Sequence, residues 1–320
     1  MADTVNEQLE KYLADAHSIE EQALAQLRSA PDLAGGDKLA TAFREHLRET
    51  EGHEAAMRQL LAHRGGTSLL KDTVMKLGGK GFVLFAKANP DTPGKLLAHA
   101  LSYEALEEAS YALLGIVAER AGEDDVVEAA RRIEREELTM RERLAGCFDE
   151  SVDASLRDVA PNKLEQQLAK YLADAHAIEE QAIKLLERAA SRDDGELGDA
   201  YREHLAETRG HADIVESRLA AHGGDPSTLK DAMMRIGAIN WSTFFAAHPD
   251  TPGKLAAFAY AFEYLEIGGY EQLKRVAERA GDDETARAAD RILGEERAAA
   301  AKLYGLFPEA AAQALAATVS

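Results

Sequence analysis

YLADAHSIEEQA, residues Tyr12 to Ala23, returns almost letter for letter as YLADAHAIEEQA, Tyr171 to Ala182. The repetition then continues in step. REHLRET (Arg44 to Thr50) returns as REHLAET (Arg202 to Thr208), PDTPGKL from Pro90 returns from Pro249, and VAERAG from Val117 returns from Val276. The offset is 159 residues from Tyr12 to Tyr171 and 158 from Arg44 to Arg202, so both halves carry the same elements in the same order. A chain of 320 residues has room for two domains. They are expected over residues 1–150 and 163–310, joined by a polar, proline-containing connector at Asp149 to Lys163.

Within each half the apolar period is that of a helix. In the first half it runs through 6–29, 38–63, 93–121 and 124–147, with almost no strand signal. Thr92 reads as an N-cap with Pro93 at the first helical position, and Thr251 with Pro252 repeats the pair. Gly122 and Gly281 should stop the third helix of each half. Connections are short except for a long crossover, 64–92, which holds an expected short helix (Leu69 to Leu77) and the apolar run GFVLF. Two antiparallel hairpins joined by one long crossover make a ferritin-like four-helix bundle. The expected fold is therefore all-α: two tandem bundles in one chain, packed as an intramolecular pseudo-dimer, with a further homo-oligomer left open.

Composition removes several functions. Lys and Arg number 37 against 57 Asp and Glu, a net charge of −20, which gives no general attraction for nucleic acid or anionic lipid. The single cysteine, Cys147, cannot form an internal disulfide and fits a reducing cytoplasm; it is expected to be a buried hydrophobe. The N-terminus lacks the basic and apolar regions of a secretory leader, and no apolar run is long enough to span a membrane, so no membrane partner is expected.

Writing each helix as a heptad seam brings out the chemistry. Otherwise apolar seams carry Glu20 on the first helix, Glu107 on the third and Glu137 on the fourth. The second helix carries His46, Thr50 and His53, ending in Met57 and Leu60. Glu107 and Glu137 each lie ~20 Å from their shared hairpin at 1.5 Å per residue, so they should face each other. Glu20 lies level with His46; Glu49 is one turn further along, and Glu104 is one turn from Glu107 on the same face. The repeat carries the set to Glu179, His204, Glu207, His211, Glu263, Glu266 and Glu296. Four or five buried carboxylates repel one another and cost several kcal/mol each in desolvation. Arg48 and Arg132 could reach inward from the flanks, but no Lys or Arg lies on these seams in the first half. Two divalent metals would neutralise four carboxylates, and oxygen donors with some imidazole suit iron or manganese. His17 and His176, off the seam, read as solvated; Tyr111 and Tyr270 either bond a ligating carboxylate or are ordinary core.

These residues also carry a resemblance. SYEALEEASY (Ser102 to Tyr111) and FEYLEIGGY (Phe262 to Tyr270) resemble the third-helix Glu-x-x-Glu-x-x-x-Tyr signature of the YciE/YciF-type stress proteins, a ferritin-like family. AFREHLRETEGH (Ala42 to His53) is similar to that family's second helix, YLADAHSIEEQA to its first, and Glu136–Glu137 to its fourth. The resemblance covers nearly the whole chain twice. It implies a rubrerythrin-like bundle, a dinuclear iron or manganese centre, a stress role, and metal ions with O2 or peroxide as partners. The usual di-iron Glu-x-x-His pair is absent, because Gly52 stands three residues after Glu49 and Met140 three after Glu137. Spacing therefore leaves open whether His46, Glu49 or His53 supplies the second helix's ligand. A metal-free helical interaction protein is the alternative.

Overall fold

The computed structural model describes residues 4–65, 92–193, 195–224 and 251–318. The helices are α1 (Val5–Leu27), α2 (Ala30–Leu33), α3 (Asp37–His63), α4 (Thr92–Ala121), α5 (Asp124–Ala145) and α6 (Phe148–Leu156). A 3-10 turn, Pro161–Lys163, leads to α7 (Leu164–Ala190), α8 (Glu196–Ala221), α9 (Thr251–Ala280), α10 (Asp283–Gly305) and α11 (Phe307–Thr318). No strand occurs among the described residues, and no described helix is long and apolar enough to cross a membrane. The chain divides into two compact units. One contains Met1–Ser155 with Pro249–Ala257 and Phe307–Ser320; the other contains Leu156–His248 and Phe258–Leu306.

In the first unit α1 packs on α3 and α4, and α5 packs on the same two helices, closing the four long helices around one core. In the second, α8 packs on α7 and α10, and the exposed pair Lys274–Asp290, 2.5 Å apart, ties α9 to α10. The stops fall where glycine is needed. Gly122 and Gly281 adopt φ of 73° and 77°. Beyond them the amide of Glu123 bonds Ala118 O at 3.1 Å and that of Asp282 bonds Ala277 O at 2.9 Å. This left-handed cap satisfies carbonyls that the helix end would otherwise leave open.

Several expectations change. Helix α4 begins at Thr92 itself, so Pro93 is its second residue and Thr92 is not the cap. Near the end of α3 the core takes Leu61 in place of Leu60, because a straight helix of 3.6 residues per turn drifts off a strict heptad. The connector at Asp149 to Lys163 is largely ordered: α6 folds back so that Ser155 Oγ accepts a bond from the Gly94 amide at 2.9 Å. Its buried residues Phe148, Ser151, Val152 and Ser155 have helical spacing that a polar average conceals. The expected helix Leu69 to Leu77 and the GFVLF run lie outside the described residues.

A buried ion pair of the first half has no counterpart in the second. On the flank of the first core, Arg141 Nε donates to buried Glu108 at 2.9 Å, with a second guanidinium contact at 3.3 Å. The second half has Ile267 and Ala300 at these positions, both buried. Removing one partner of such a pair strands a charge in the interior at a cost of about 3–5 kcal/mol, whereas an apolar replacement of both is often neutral. Arg141→Ala should therefore lower stability by roughly that amount in urea unfolding. Glu108→Ile with Arg141→Ala, which copies the second half, should restore most of it; equal losses in both variants would show that the pair is not the cause.

Candidate metal centre

Two turns of α3 separate His46 from His53, so both rings point into the same core, their centroids 6.4 Å apart. Helices α1, α4 and α5 bring carboxylates to them. His46 Nε2 lies 2.9 Å from Glu104 Oε2 and 3.4 Å from Glu137 Oε2. His53 Nδ1 lies 2.8 Å from Glu137 Oε1 and 3.7 Å from Glu20 Oε1. Glu137 thus offers one oxygen to each imidazole. The donor atoms form two groups, His46–Glu104–Glu107–Glu137 and Glu20–His53–Glu137, and within each all atoms lie within 4.8 Å of one another. Every one of these residues is buried.

The second half repeats the arrangement. His204 Nε2 is 2.8 Å from Glu263 and 3.3 Å from Glu296; His211 Nδ1 is 2.7 Å from the other oxygen of Glu296 and 3.8 Å from Glu179. Glu266 completes the larger group.

These atoms converge without satisfying one another. Both oxygens of Glu107 and of Glu137, with His46 Nε2 and His53 Nδ1, are buried and have no hydrogen-bond partner among the described residues, and the same holds for Glu266, Glu296, His204 and His211. The short approach of Glu137 to His53 has the distance of a hydrogen bond but not its alignment. Lone pairs aimed at common points, with no proton donor between them, are what a cation site requires.

A second ring of residues orients the first. Glu49 lies outside both groups. Its carboxylate accepts from His46 Nδ1 at 3.0 Å and from Arg143 at 3.0 Å, leaving Nε2 to face inward. Glu136 does the same for His53 through Nε2 at 2.7 Å, leaving Nδ1 inward. Glu207 and Glu295 hold His204 and His211 likewise, at 3.0 and 2.6 Å. The Tyr111 hydroxyl donates to Glu20 at 2.5 Å, and Tyr270 donates to Glu179, so both tyrosines bond a carboxylate of the cluster.

The seams do not mark Glu136 and Glu295, which entered only through the resemblance, because they sit beside the seams; only the neighbouring helix shows that they reach His53 and His211. Arg132 does not reach inward but pairs with Glu136 at the surface, and Arg48 is exposed. His17 is not solvated: it is buried and bonded to Glu54 at 2.9 Å, a partner two helices make available and one helix cannot reveal. Cys147 is buried as expected.

With only protons present, burial raises three carboxyls of the first cluster. Burial, helped by the charge of Glu137, pushes the Glu20 carboxyl up to about 8. Burial likewise raises Glu104 to about 7 against the opposing pull of His46, and lifts Glu107 well above the carboxylate range. Burial pulls His53 down, but the Glu137 carboxylate outweighs it, with Glu20 adding, and the imidazole rises to about 9. In the second half Glu179 rises to about 8, Glu263 to about 7 and His211 to about 9, while burial at Glu296 is outweighed by His204 and His211, which hold it down at about 2.

The signs combine. A raised carboxyl binds protons in the fold that the unfolded chain releases, so its contribution is lost as pH climbs from 4.5 to about 8. A raised imidazole contributes fully below 6.5 and loses that contribution by about 9. Chelator-treated protein should therefore melt at progressively lower temperature across this whole range in a calorimetric scan. Divalent metal, which binds the deprotonated groups, should raise the melting point most at the alkaline end. A melting point flat with pH, and equally flat with metal, would mean that these carboxylates are solvated.

No solved structure matches the chain. The model of the family described as Domain of unknown function (DUF892) matches residues 4–157 and again residues 163–316. The two matches, each enclosing one of the paired His/Glu clusters, cover nearly all of the protein, and the chain belongs to the DUF892 family, twice over.

Proposed function

We propose that each half holds a dinuclear centre of iron or manganese, and that the protein handles iron, O2 or peroxide under stress. One observation carries this reading: Glu137 belongs to two ligand groups at once, and Glu296 repeats it. His46, Glu104, Glu107 and Glu137 would hold one ion; Glu20, His53 and Glu137 would hold its neighbour. The second half would use His204, Glu263, Glu266 and Glu296, then Glu179, His211 and Glu296. Charge fits too: two divalent ions balance the four carboxylates of Glu20, Glu104, Glu107 and Glu137, which burial alone would not tolerate as anions. Oxygen and imidazole donors without thiolate suit iron or manganese.

Bound there, such ions supply Lewis acidity and a pair of adjacent redox couples. The chain's own residues do the positioning. Glu49 and Glu136 fix each imidazole through the nitrogen that faces away from the cluster, and Tyr111 fixes Glu20. Ile133 and Met140, a turn to either side of Glu137 on α5, are fully buried and keep water from it. The stress role comes from the resemblance to the YciE/YciF-type proteins.

A second reading has its own support. Both nitrogens of His53 face carboxylates, and its imidazole is raised to about 9, so protons alone can hold the cluster in a metal-free structural bundle.

Metal titration of protein purified without a nickel column separates the two. Two manganese or iron ions per half are expected. Glu137→Ala should remove both ions of the first half and neither of the second, whereas Glu20→Ala should remove one. Full occupancy in Glu20→Ala with Glu107→Ala would sink the ligand assignment. For the chemistry, iron(II) should be oxidised by O2 faster with the protein than without it, and Glu137→Ala with Glu296→Ala should abolish the difference. Equal rates with and without protein would leave only binding or structure.

A further inference from the structure

The two clusters have equivalent residues but differ in access. In the second unit a cleft of about 80 Å³ between α8 and α10 reaches His204, with Glu203, Glu207, Ala299 and Lys302 in its walls. His204 is 5% exposed, where His46 is 0% exposed. The first unit has a larger groove at the same place between α3 and α5, about 550 Å³, lined by Ala42, Glu45 and Arg143, but His46 is not in its wall.

Two substitutions between the halves account for the difference. At the position of Ala299, which is 8% exposed, α5 carries the longer Met140, which is 0% exposed. At the position of Lys302 it carries Arg143, which lines that groove and bonds Glu49, the partner of His46 Nδ1, at 3.0 Å. Lys302 instead pairs with Glu203 at 2.5 Å, an exposed contact that leaves Glu207 on the cleft wall. A cleft of this size accepts two or three waters at ~30 Å³ each, or a cation keeping part of its hydration shell. The carboxylate of Glu207 favours a cation on the way in, whereas the Arg143 guanidinium opposes one.

We propose that this cleft is the entry and exit route for a partly hydrated divalent cation at the second centre. Met140 and the Glu49–Arg143 pair close the same route in the first. The second centre then exchanges metal quickly and the first holds it. This rests on the dinuclear reading above.

The test uses the full chain loaded with manganese(II), desalted, and challenged with excess chelator while release is followed. Release should occur in two phases, and Glu296→Ala should eliminate the fast one. Ala299→Met, which copies the first half, should slow the fast phase roughly tenfold, the factor that about 1.4 kcal/mol of added barrier supplies. Met140→Ala, measured separately, should accelerate the slow phase in the same proportion. Stoichiometric binding with a single release rate, or a fast phase unchanged by Ala299→Met, overturns this proposal and leaves the metal reading intact. Failure to bind manganese at all removes both.

Discussion

Glu137 and Glu296 each stand between two imidazoles with both carboxylate oxygens buried and without a hydrogen bond. An anion in that position cannot be left alone. Burial makes an uncompensated charge there costly, and the three other carboxylates around it sharpen the demand for positive charge. The rest of each bundle answers that demand. The two histidines sit two turns apart on one helix so that each meets a different oxygen, and the flanking helices bring the remaining glutamates to the same depth.

The outer ring of the centre explains why its inner ring is so constrained. Each histidine has a carboxylate behind it, Glu49 or Glu136 in the first half, which takes the outward N–H and leaves the other nitrogen turned to the cluster. Those outer carboxylates lie nearer the surface and meet arginines: Arg143 bonds Glu49 and Arg132 bonds Glu136. Negative charge is thus balanced by protein cations at the rim, while no Lys or Arg is buried among the described residues. The arrangement sorts charge by depth.

Because the chain contains the structure twice, it also shows which features a bundle can exchange. Glu108–Arg141 becomes Ile267–Ala300, a buried ion pair traded for apolar contact. His17 loses its partner Glu54 to Ala212 in the other half, and Met140 becomes Ala299. All three changes lie beside the cluster or on its flanks. The His/Glu clusters themselves recur with matching distances, 2.9 and 2.8 Å from the first histidine to its glutamate, 2.8 and 2.7 Å from the second.

The sequence determined the repeat, the long helices, their glycine stops and the glutamates of the seams, because periodicity and capping are local and each is written on one segment. It also placed Glu20, Glu104, Glu107 and Glu137 at one level, since rise per residue converts counting into depth. It did not decide between His46, Glu49 and His53. All three lie within two turns of one helix, and their roles depend on what the other helices present. Only the tertiary structure turned His46 and His53 inward, drew Glu49 out to Arg143, and brought Glu136 across to His53. It alone placed His17 against Glu54, and it alone put His204, but not His46, in the wall of a surface cleft. Each of these is a contact between side chains far apart in the chain, and such contacts leave no period in the sequence by which to find them.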